Sequence, residues 1–338
     1  MTDNAELQSV PINPTARIVF NALEQMGWSV ENFPQLVERI KRLDRGIPAE
    51  DEFAVLISWM GKCELVHKLE QEQSPPESQN VYRIPDLLAF FRHNNHLFPV
   101  LIEVKKHKAE KLSWKPEYLD SLRQYAATLN LPLLVAWKWE PFGFWTLFEA
   151  KHFSKTRKNY EITQELTMKE NLMSLLAGDF AVGLHKGVGF HFVVRKGKEL
   201  ESGDSKNSDT KTWLARVEKA FFTNGRGERI KELGPGLWSL LLCAHLEEHT
   251  EVSESKASSS FIIEEESIQF THRMLPVLLQ SEVGKDKPLR WREVRQNYSV
   301  PIKFQILRKA ATDESSADIV ATVIEVAPNT KPDFLSYE

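Results

Sequence analysis

Residues 84–105 read IPDLLAFFRHNNHLFPVLIEVK, and this stretch decides the fold. Its two apolar, β-prone runs, 84–91 and 99–105, flank a short polar connection at 92–96. Strand-forming runs joined by a short Asn-rich connection are typical of a β-hairpin. The stretch therefore predicts two neighbouring antiparallel strands.

Three charged side chains lie at the ends of these predicted strands. Side chains alternate between the two faces of a strand, so Glu103 and Lys105 should point to the same face. Asp86 and Glu103 are about equally far from the turn, so they should lie roughly opposite each other. The hairpin thus predicts two carboxylates and one ammonium group on one small patch.

Phosphodiester hydrolysis uses this combination of groups. Two carboxylates can hold one or two hard divalent cations, which prefer oxygen ligands. A bound metal polarises the scissile phosphate and lowers the pKa of a bound water. Lys105 can orient that water, help to deprotonate it and offset charge that develops on the phosphate. The patch therefore predicts the centre of a metal-dependent nuclease.

The motif Pro85-Asp86 followed by Glu103-Val104-Lys105 resembles the signature of the PD-(D/E)xK nuclease superfamily. The predicted order of elements also resembles its core: a helix, the strand with Pro-Asp, the strand with Glu-x-Lys, a helix with glutamine and a further strand. The resemblance implies a restriction-endonuclease-like α/β fold, a mixed sheet flanked by helices. It also implies DNA cleavage with Mg²⁺, for which Mn²⁺ substitutes, and a homodimer.

The same resemblance implies roles for individual residues. Asp86 and Glu103 would ligate the metal, the Val104 carbonyl would complete its coordination, and Lys105 would position the water. A glutamate on the helix before the core strands is a frequent additional ligand in the superfamily. Helical spacing of apolar residues extends the predicted third helix from about residue 50 to residue 69, so Glu64 is the candidate for that ligand.

Downstream of the hairpin, a helix predicted at 118–129 carries Gln124 and leads into strands at 131–137 and 142–149. Many Holliday-junction-resolvase-like members have a glutamine at a similar place, which implies that Gln124 orients the site. Basic residues surround the motif, and a solvated loop is the alternative interpretation of this cluster. Beside a phosphate-cutting centre they are candidates for DNA contacts, namely Lys106, Lys108, Lys111 and Arg123.

Composition places the chain among soluble globular proteins: 338 residues, 42% hydrophobic and 27% charged. The sequence has no apolar run of membrane-spanning length and no signal-peptide pattern at its start, so we expect no membrane partner and a cytoplasmic location. Cys63 and Cys243 are too few and too far apart to predict a disulfide framework or a zinc cluster. The net charge of −4 argues against a strongly basic DNA coat but leaves local DNA binding open.

The length predicts more than one domain. Residues 1–49 carry helical patterns at 15–26 and 30–43 and form a helical extension. Residues 50–154 form the nuclease core, and a basic connector precedes an α+β domain at 155–338 that binds substrate or a partner. In that domain we expect a helix at 168–177, strands within 179–194 and a helix at 237–246. Ser-containing surface loops are expected at 201–210, 251–260 and 312–317.

The second half contains no glycine-rich phosphate loop or nucleophile elbow. Its run Arg290-Trp291-Arg292 could grip a nucleic-acid backbone, dock a partner or be a solvated face. The sequence as a whole therefore predicts a DNA endonuclease of restriction, transposition, recombination and repair, or anti-phage defence. Two alternatives stay open: a non-catalytic module that binds nucleic acid or protein, and an RNA-directed nuclease.

Overall fold

The structure, a computed structural model, describes residues 49–73, 75–200, 211–283, 291, 294 and 304–335. Its helices are α1 49–59, α2 Pro116–Leu129, α3 Gln164–Lys169, α4 Pro235–Cys243, α5 Thr271–Val283 and α6 Phe304–Thr312. Its strands are β1 Cys63–Lys68, β2 Leu87–His93, β3 His96–His107, β4 Lys111–Trp114, β5 Leu133–Trp139, β6 Phe144–Glu149, β7 Ser154–Lys155, β8 Tyr160–Thr163, β9 Ala181–Leu184, β10 Gly189–Leu200, β11 Thr212–Thr223, β12 Arg229–Ile230, β13 Glu247–Val252, β14 Lys256–Ile262, β15 Ile268–Phe270 and β16 Val320–Ile324. No helix among the described residues is long and apolar enough to cross a membrane.

A five-stranded mixed sheet in the order β1-β2-β3-β5-β6 is the centre of the fold. Strands β3 and β5 are parallel, and the other neighbours are antiparallel. Helix α1 packs its buried side chains on one face of this sheet, while α2 packs Leu119 and Leu122 on the other face. The predicted mixed sheet flanked by helices is therefore confirmed.

The predicted hairpin is formed by β2 and β3, which pair from Leu87↔Ile102 to His93↔His96. Asn94 and Asn95 make the turn with φ of 46° and 64°, in the left-handed region that asparagine tolerates better than most residues. The predicted α2, β5 and β6 are also present. The hairpin register follows from this two-residue turn.

The long third helix predicted from about residue 50 to residue 69 is wrong in its second half. The structure has helix only to residue 59 and then strand β1, which pairs with β2. Gly61, with φ of 83°, lies in the turn between them, where a left-handed backbone conformation cannot continue a helix. Glu64 is therefore on a strand, and the two helices predicted at 15–26 and 30–43 lie outside the described residues.

The second half contributes two further sheets, with orders β15-β9-β16 and β12-β11-β10-β14-β13. The surface loop predicted at 251–260 is wrong, since most of this segment belongs to the paired strands β13 and β14. The helix predicted at 168–177 is instead the short α3 followed by a π-helical turn, Met173–Ala177. A small sheet, β4-β8-β7, spans the boundary predicted at 154/155, so the structural core continues past that point.

The second half also covers the edge strand β6 of the central sheet. The backbone N–H of Trp145 donates to Nε2 of His272 at 3.3 Å, and the N–H of Leu147 donates to Oδ1 of Asn171 at 3.0 Å. The N–H of Leu172 donates to the carbonyl of Leu147 at 2.6 Å. One hydrophobic core joins α1 and the central sheet to β9, α4, α5 and α6. The two halves therefore share a core and a hydrogen-bonded edge.

Candidate active site

The hairpin brings Asp86 and Glu103 together at one end of the central sheet. Asp86 immediately precedes β2, whose first residue pairs with Ile102, so Asp86 lies beside Glu103 on the face that α2 covers. The backbone N–H of Val104 donates to Oδ2 of Asp86 at 2.7 Å. This bond holds the aspartate carboxylate against β3, as the register predicted.

Lys105 completes the patch. Its ammonium donates to Oε1 of Glu103 and, at 3.0 Å, to the carbonyl of Val104. The same nitrogen lies 3.9 Å from Oδ2 of Asp86. The structure therefore brings together Asp86, Glu103, Lys105 and the Val104 carbonyl, the four groups of the expected catalytic set on β2 and β3.

Tyr118 is a member of this cluster that the sequence reasoning missed. Its hydroxyl donates to Oε1 of Glu103, and its ring lies 5.6 Å from the Lys105 nitrogen. The guanidinium of the exposed Arg83 lies 4.3 Å from the centre of the same ring. Helix α2 returns from the carboxyl end of β3 to the parallel strand β5, so its first turn faces the site. A polar residue in that first turn was the signal available in the sequence.

Burial and mutual repulsion dominate the electrostatics of the carboxylate pair. Burial, together with the charge of Glu103, raises the pKa of Asp86 to about 7. Burial by itself lowers the pKa of Lys105, but the charges of Glu103 and Asp86 raise it above the ordinary value. Burial and the Glu103 charge also raise the pKa of Tyr118 to about 12. Lys105 is thus a protonated cation, and Tyr118 is a neutral hydrogen-bond donor.

The donor set of the patch suits a hard divalent cation. Oε2 of Glu103 is buried and accepts no hydrogen bond from the described residues, and this side chain is only 3% exposed. An unpartnered buried carboxylate oxygen is costly, and a cation would compensate it. Asp86, at 16% exposure, provides a second carboxylate beside it. The described residues contain no cluster of three or more His, Cys, Asp or Glu with metal-site geometry, so the fit rests on this pair and the Val104 carbonyl.

Glu64 lies away from the patch. Its neighbour Cys63 pairs with Phe91, which places Glu64 at the opposite end of β2, roughly 14 Å from Asp86 at 3.4 Å per residue. Its carboxylate is exposed and accepts a hydrogen bond from Nε of Arg92 at 2.6 Å. The structure therefore contradicts the expectation that Glu64 adds a ligand.

Glu50 is the glutamate that α1 places near the site. Its carboxylate forms an ion pair with Lys68, which is opposite Leu87 in the β1–β2 register and so next to Asp86. The charge of Glu50 contributes to the raised pKa of Asp86. The sequence pattern singled out Glu64 instead, because the predicted helix continued to residue 69 and carried it.

Gln124 is exposed on α2, six residues after Tyr118. Six residues correspond to about 600° of helical rotation, which turns its side chain well away from the face of Tyr118. The backbone carbonyl of Gln124 accepts a hydrogen bond from the Thr128 hydroxyl at 2.9 Å, and its side chain has no hydrogen bond among the described residues. The structure does not bring the Gln124 side chain to the carboxylate pair.

The basic residues expected to contact DNA are mostly engaged within the protein. Lys106 pairs with Glu140 at 3.0 Å and Lys111 pairs with Glu161 at 2.8 Å. Arg123 donates to the carbonyl of Ala150 at 2.9 Å and is stacked over Tyr160. Lys108 is exposed.

Trp114, which follows the Glu103-Val104-Lys105 strand in the sequence, is buried and stacked on Phe153, with ring centres 4.6 Å apart. Its ring also meets Tyr118 edge to face, with centres 5.1 Å apart. It therefore belongs to the core that supports the patch rather than to a surface that could stack on a base.

Comparison with known proteins identifies the part of the chain that carries this site. Residues 74–181, about a third of the chain, match the family model described as archaeal Holliday junction resolvase (hjc). The solved structure of Hjc from Archaeoglobus fulgidus, a Holliday junction resolvase from an archaeal hyperthermophile, is 21% identical, with a TM-score of 0.31. That alignment covers 40% of this chain and 96% of the other. A comparison with curated proteins gave no match. The family match confirms the recognition made from the motif: residues 74–181 are similar to the archaeal Holliday junction resolvases, with a fold of the PD-(D/E)xK kind.

Proposed function

We propose that this chain is a divalent-metal-dependent endonuclease that hydrolyses phosphodiester bonds in DNA. The observation that carries the proposal is the buried pair of Asp86 and Glu103, with the Lys105 ammonium at hydrogen-bonding distance from the glutamate. The pair is costly as a purely structural feature, because burial and the Glu103 charge raise the pKa of Asp86 and because Oε2 of Glu103 has no hydrogen-bond partner among the described residues. The resolvase-like domain supports a nuclease reaction at this place.

Asp86, Glu103 and the Val104 carbonyl would hold Mg²⁺, for which Mn²⁺ substitutes, since all three offer hard oxygen donors. When bound, the metal supplies charge to polarise the scissile phosphate and activate a water. Glu50 replaces Glu64 as the candidate for an additional carboxylate, since its charge already acts on Asp86.

The remaining groups of the patch would position the attacking water and the Glu103 carboxylate and stabilise negative charge on the phosphate. Lys105, held as a cation, would orient the attacking water and offset negative charge on the phosphate rather than act as a base. Tyr118 donates to Glu103 and fixes the orientation of that carboxylate, so we assign it a positioning role. Arg83 and Lys108 are exposed cations on the segments around the patch and would contact the DNA backbone.

The name of the matching family favours branched DNA as the substrate, and hence recombination or repair as the process. Restriction, transposition and anti-phage defence use the same chemistry and stay alternatives. A homodimer in the cytoplasm would cut two strands of such a substrate. The second half, packed on the same core, would bind substrate or a protein partner.

The test is cleavage of a four-way junction, plasmid, linear duplex and single-stranded DNA with Mg²⁺, Mn²⁺ or EDTA. Lys105→Ala and Asp86→Asn should abolish cutting that the intact protein shows, while Glu64→Gln, a matched carboxylate change at the far end of β2, should preserve it. Metal-dependent cutting with that pattern supports the proposal. Folded protein that binds no Mg²⁺ by calorimetry and cuts none of these substrates would instead assign the core to a non-catalytic binding module.

A further inference from the structure

The five-stranded sheet of the second half has two unlike faces. Residues that pair directly across strands share a face, so Phe190, Phe222 and Phe261 lie on one side. The ring of Phe222 packs edge to face on Trp238 of α4, with centres 5.3 Å apart, which joins this side to the body of the protein. The opposite side has a cluster of cations that we call the basic face: Arg195, Arg216, Lys219, Arg229 and Lys256.

Three cations of the basic face form one row across neighbouring strands. Arg195 on β10 is directly opposite Arg216 on β11 and directly opposite Lys256 on β14. Like charges at directly opposed positions destabilise a sheet. Glu218 is the carboxylate that compensates this row, and it pairs with both Arg195 and Lys256 at 3.0 Å. Arg216 has no ion pair among the described residues, so the row keeps excess positive charge.

Further cations extend this charge along β11 and β12. Lys219, opposite Val193, is exposed and likewise has no ion pair within the described part of the chain. Arg229, opposite Thr223, lies with its guanidinium 3.9 Å from the ring centre of Phe221. The register also places Glu247 and Glu251 of the edge strand β13 on this face, so that with Glu218 it has three carboxylates, two of them at the β13 edge, against five cations. Away from that edge the face keeps excess positive charge, whereas an ordinary solvated surface mixes the two signs.

Two stacked rings, those of His191 and Phe221, lie on the basic face. The ring of His191 is stacked on Phe221 with an interplanar angle of 15° and a centre distance of 5.0 Å, and the guanidinium of Arg229 also lies against the Phe221 ring. Both His191 nitrogens are hydrogen-bonded, to hydroxyls of Ser260 and Thr223 at 2.8 Å. An exposed guanidinium therefore lies beside these stacked rings. Guanidinium planes and exposed cations together suit a nucleic-acid backbone with accessible bases.

We propose that the basic face is a second nucleic-acid site, which holds the phosphate backbone of a DNA arm away from the catalytic patch. This inference rests on the proposed DNA substrate. From Arg216 to Arg229 the cations span roughly 20 Å at 3.4 Å per residue. That length corresponds to about six nucleotide steps of one DNA strand. Backbone contact explains why cations accumulate here although the chain as a whole has a net charge of −4.

Counterion release gives the expected contribution of the basic face to DNA affinity. Each phosphate contact contributes about −0.9 to the slope of log K against log salt concentration. Loss of three contacts should therefore reduce the steepness of the slope by about 3 and weaken binding roughly 10²–10³-fold at about 0.1 M salt. The chemical step at saturating DNA should be unaffected, because the basic face lies outside the catalytic patch.

The experiment measures binding of labelled duplex and four-way junction DNA in EDTA over a range of salt concentrations. The test variant combines Arg216→Gln, Lys219→Gln and Arg229→Gln. The control variant makes the same charge change elsewhere on the surface, with Lys169→Gln, Lys309→Gln and Lys331→Gln. We expect the slope and affinity to fall in the test variant alone, with an unchanged cleavage rate at saturating DNA.

Two results would overturn the inference. One is a test variant whose slope of log K against log salt concentration stays within one unit of that of the intact protein. A control variant whose slope and affinity fall as much as those of the test variant has the same meaning. The other is an unchanged slope with a lower mass by sedimentation, which would assign the face to contact between copies of the chain. Intact protein that binds DNA through the basic face but cuts no DNA with Mg²⁺ or Mn²⁺ would refute the proposed function and leave this inference standing.

Discussion

Replacing Asp86 with asparagine should stabilise the metal-free protein at neutral and alkaline pH. The amide keeps an oxygen that can accept the hydrogen bond from the Val104 N–H. It removes a carboxylate whose pKa burial and the Glu103 charge raise to about 7. The folded protein therefore disfavours the charged form of Asp86, and the variant has no such charge.

Proton linkage gives the direction and size of the expected change in the free energy of unfolding with pH. The pKa of Asp86 is about 7 in the folded state, against an ordinary value of 3.8, so the stability it contributes below pH 3.8 is lost as pH rises to 7. One pKa unit corresponds to about 1.4 kcal/mol, which gives a full loss of about 4 kcal/mol. About 3 kcal/mol of this loss falls between about pH 5 and pH 8. The Asp86→Asn variant should therefore gain about that much relative to the intact protein over this range.

Urea unfolding in EDTA at pH 5, 6, 7 and 8 measures this difference. The control is Asp120→Asn, which removes a more exposed carboxylate from α2 and should show no comparable trend. The reasoning is refuted if Asp86→Asn becomes less stable relative to the intact protein as pH rises. Added Mg²⁺ should restore stability to the intact protein at pH 8 and have little effect on the variant.

Three further changes test other parts of the site and fold. Tyr118→Phe removes a hydrogen bond to a charged carboxylate, worth about 1.5–3 kcal/mol, so kcat should fall at least roughly tenfold with DNA affinity unchanged; an unchanged kcat would exclude the positioning role. Glu50→Gln should raise the Mg²⁺ concentration needed for half-maximal cleavage, whereas Glu64→Gln should not, and equal metal titrations for Glu50→Gln and the intact protein would contradict this. His272→Ala removes the ring nitrogen that is hydrogen-bonded to the buried Oδ2 of Asp179, whereas Oδ1 keeps its hydrogen bonds from Thr271 and from the backbone N–H of residue 272. The free energy of unfolding in urea titrations should fall by about 1–3 kcal/mol, and a loss below about 0.5 kcal/mol would refute the argument.

Local chemistry explains which parts of the fold could be predicted from the sequence. The β2–β3 hairpin follows from two apolar runs and the Asn94-Asn95 turn, and its register then places Asp86 beside Glu103. The sequence was ambiguous after residue 59, because a short apolar run fits both helix and strand. Only the pairing of β1 with β2 decides that segment, and this contact is not local.

The supporting groups of the site were harder to predict for the same reason. Tyr118 and Glu50 reach the carboxylate pair from two different helices, and no sequence spacing relates them to it. Gln124 was chosen by resemblance, but the helical phase of α2 turns it away from Tyr118. The polar, Ser-rich strands of the β13–β14 hairpin lack an apolar alternation, so their sequence predicts a loop rather than paired strands.

The covered edge of β6 bears on how this protein can be divided. His272 and Asn171 of the second half satisfy backbone N–H groups of β6 that would otherwise form an open sheet edge. Open edges pair with other chains and lead to aggregation. A fragment cut at residue 154 would lack both side chains and expose the apolar face that the second half covers. The core of residues 50–154 therefore cannot be transferred to another protein by itself. A transferred segment would have to include the residues that close this edge.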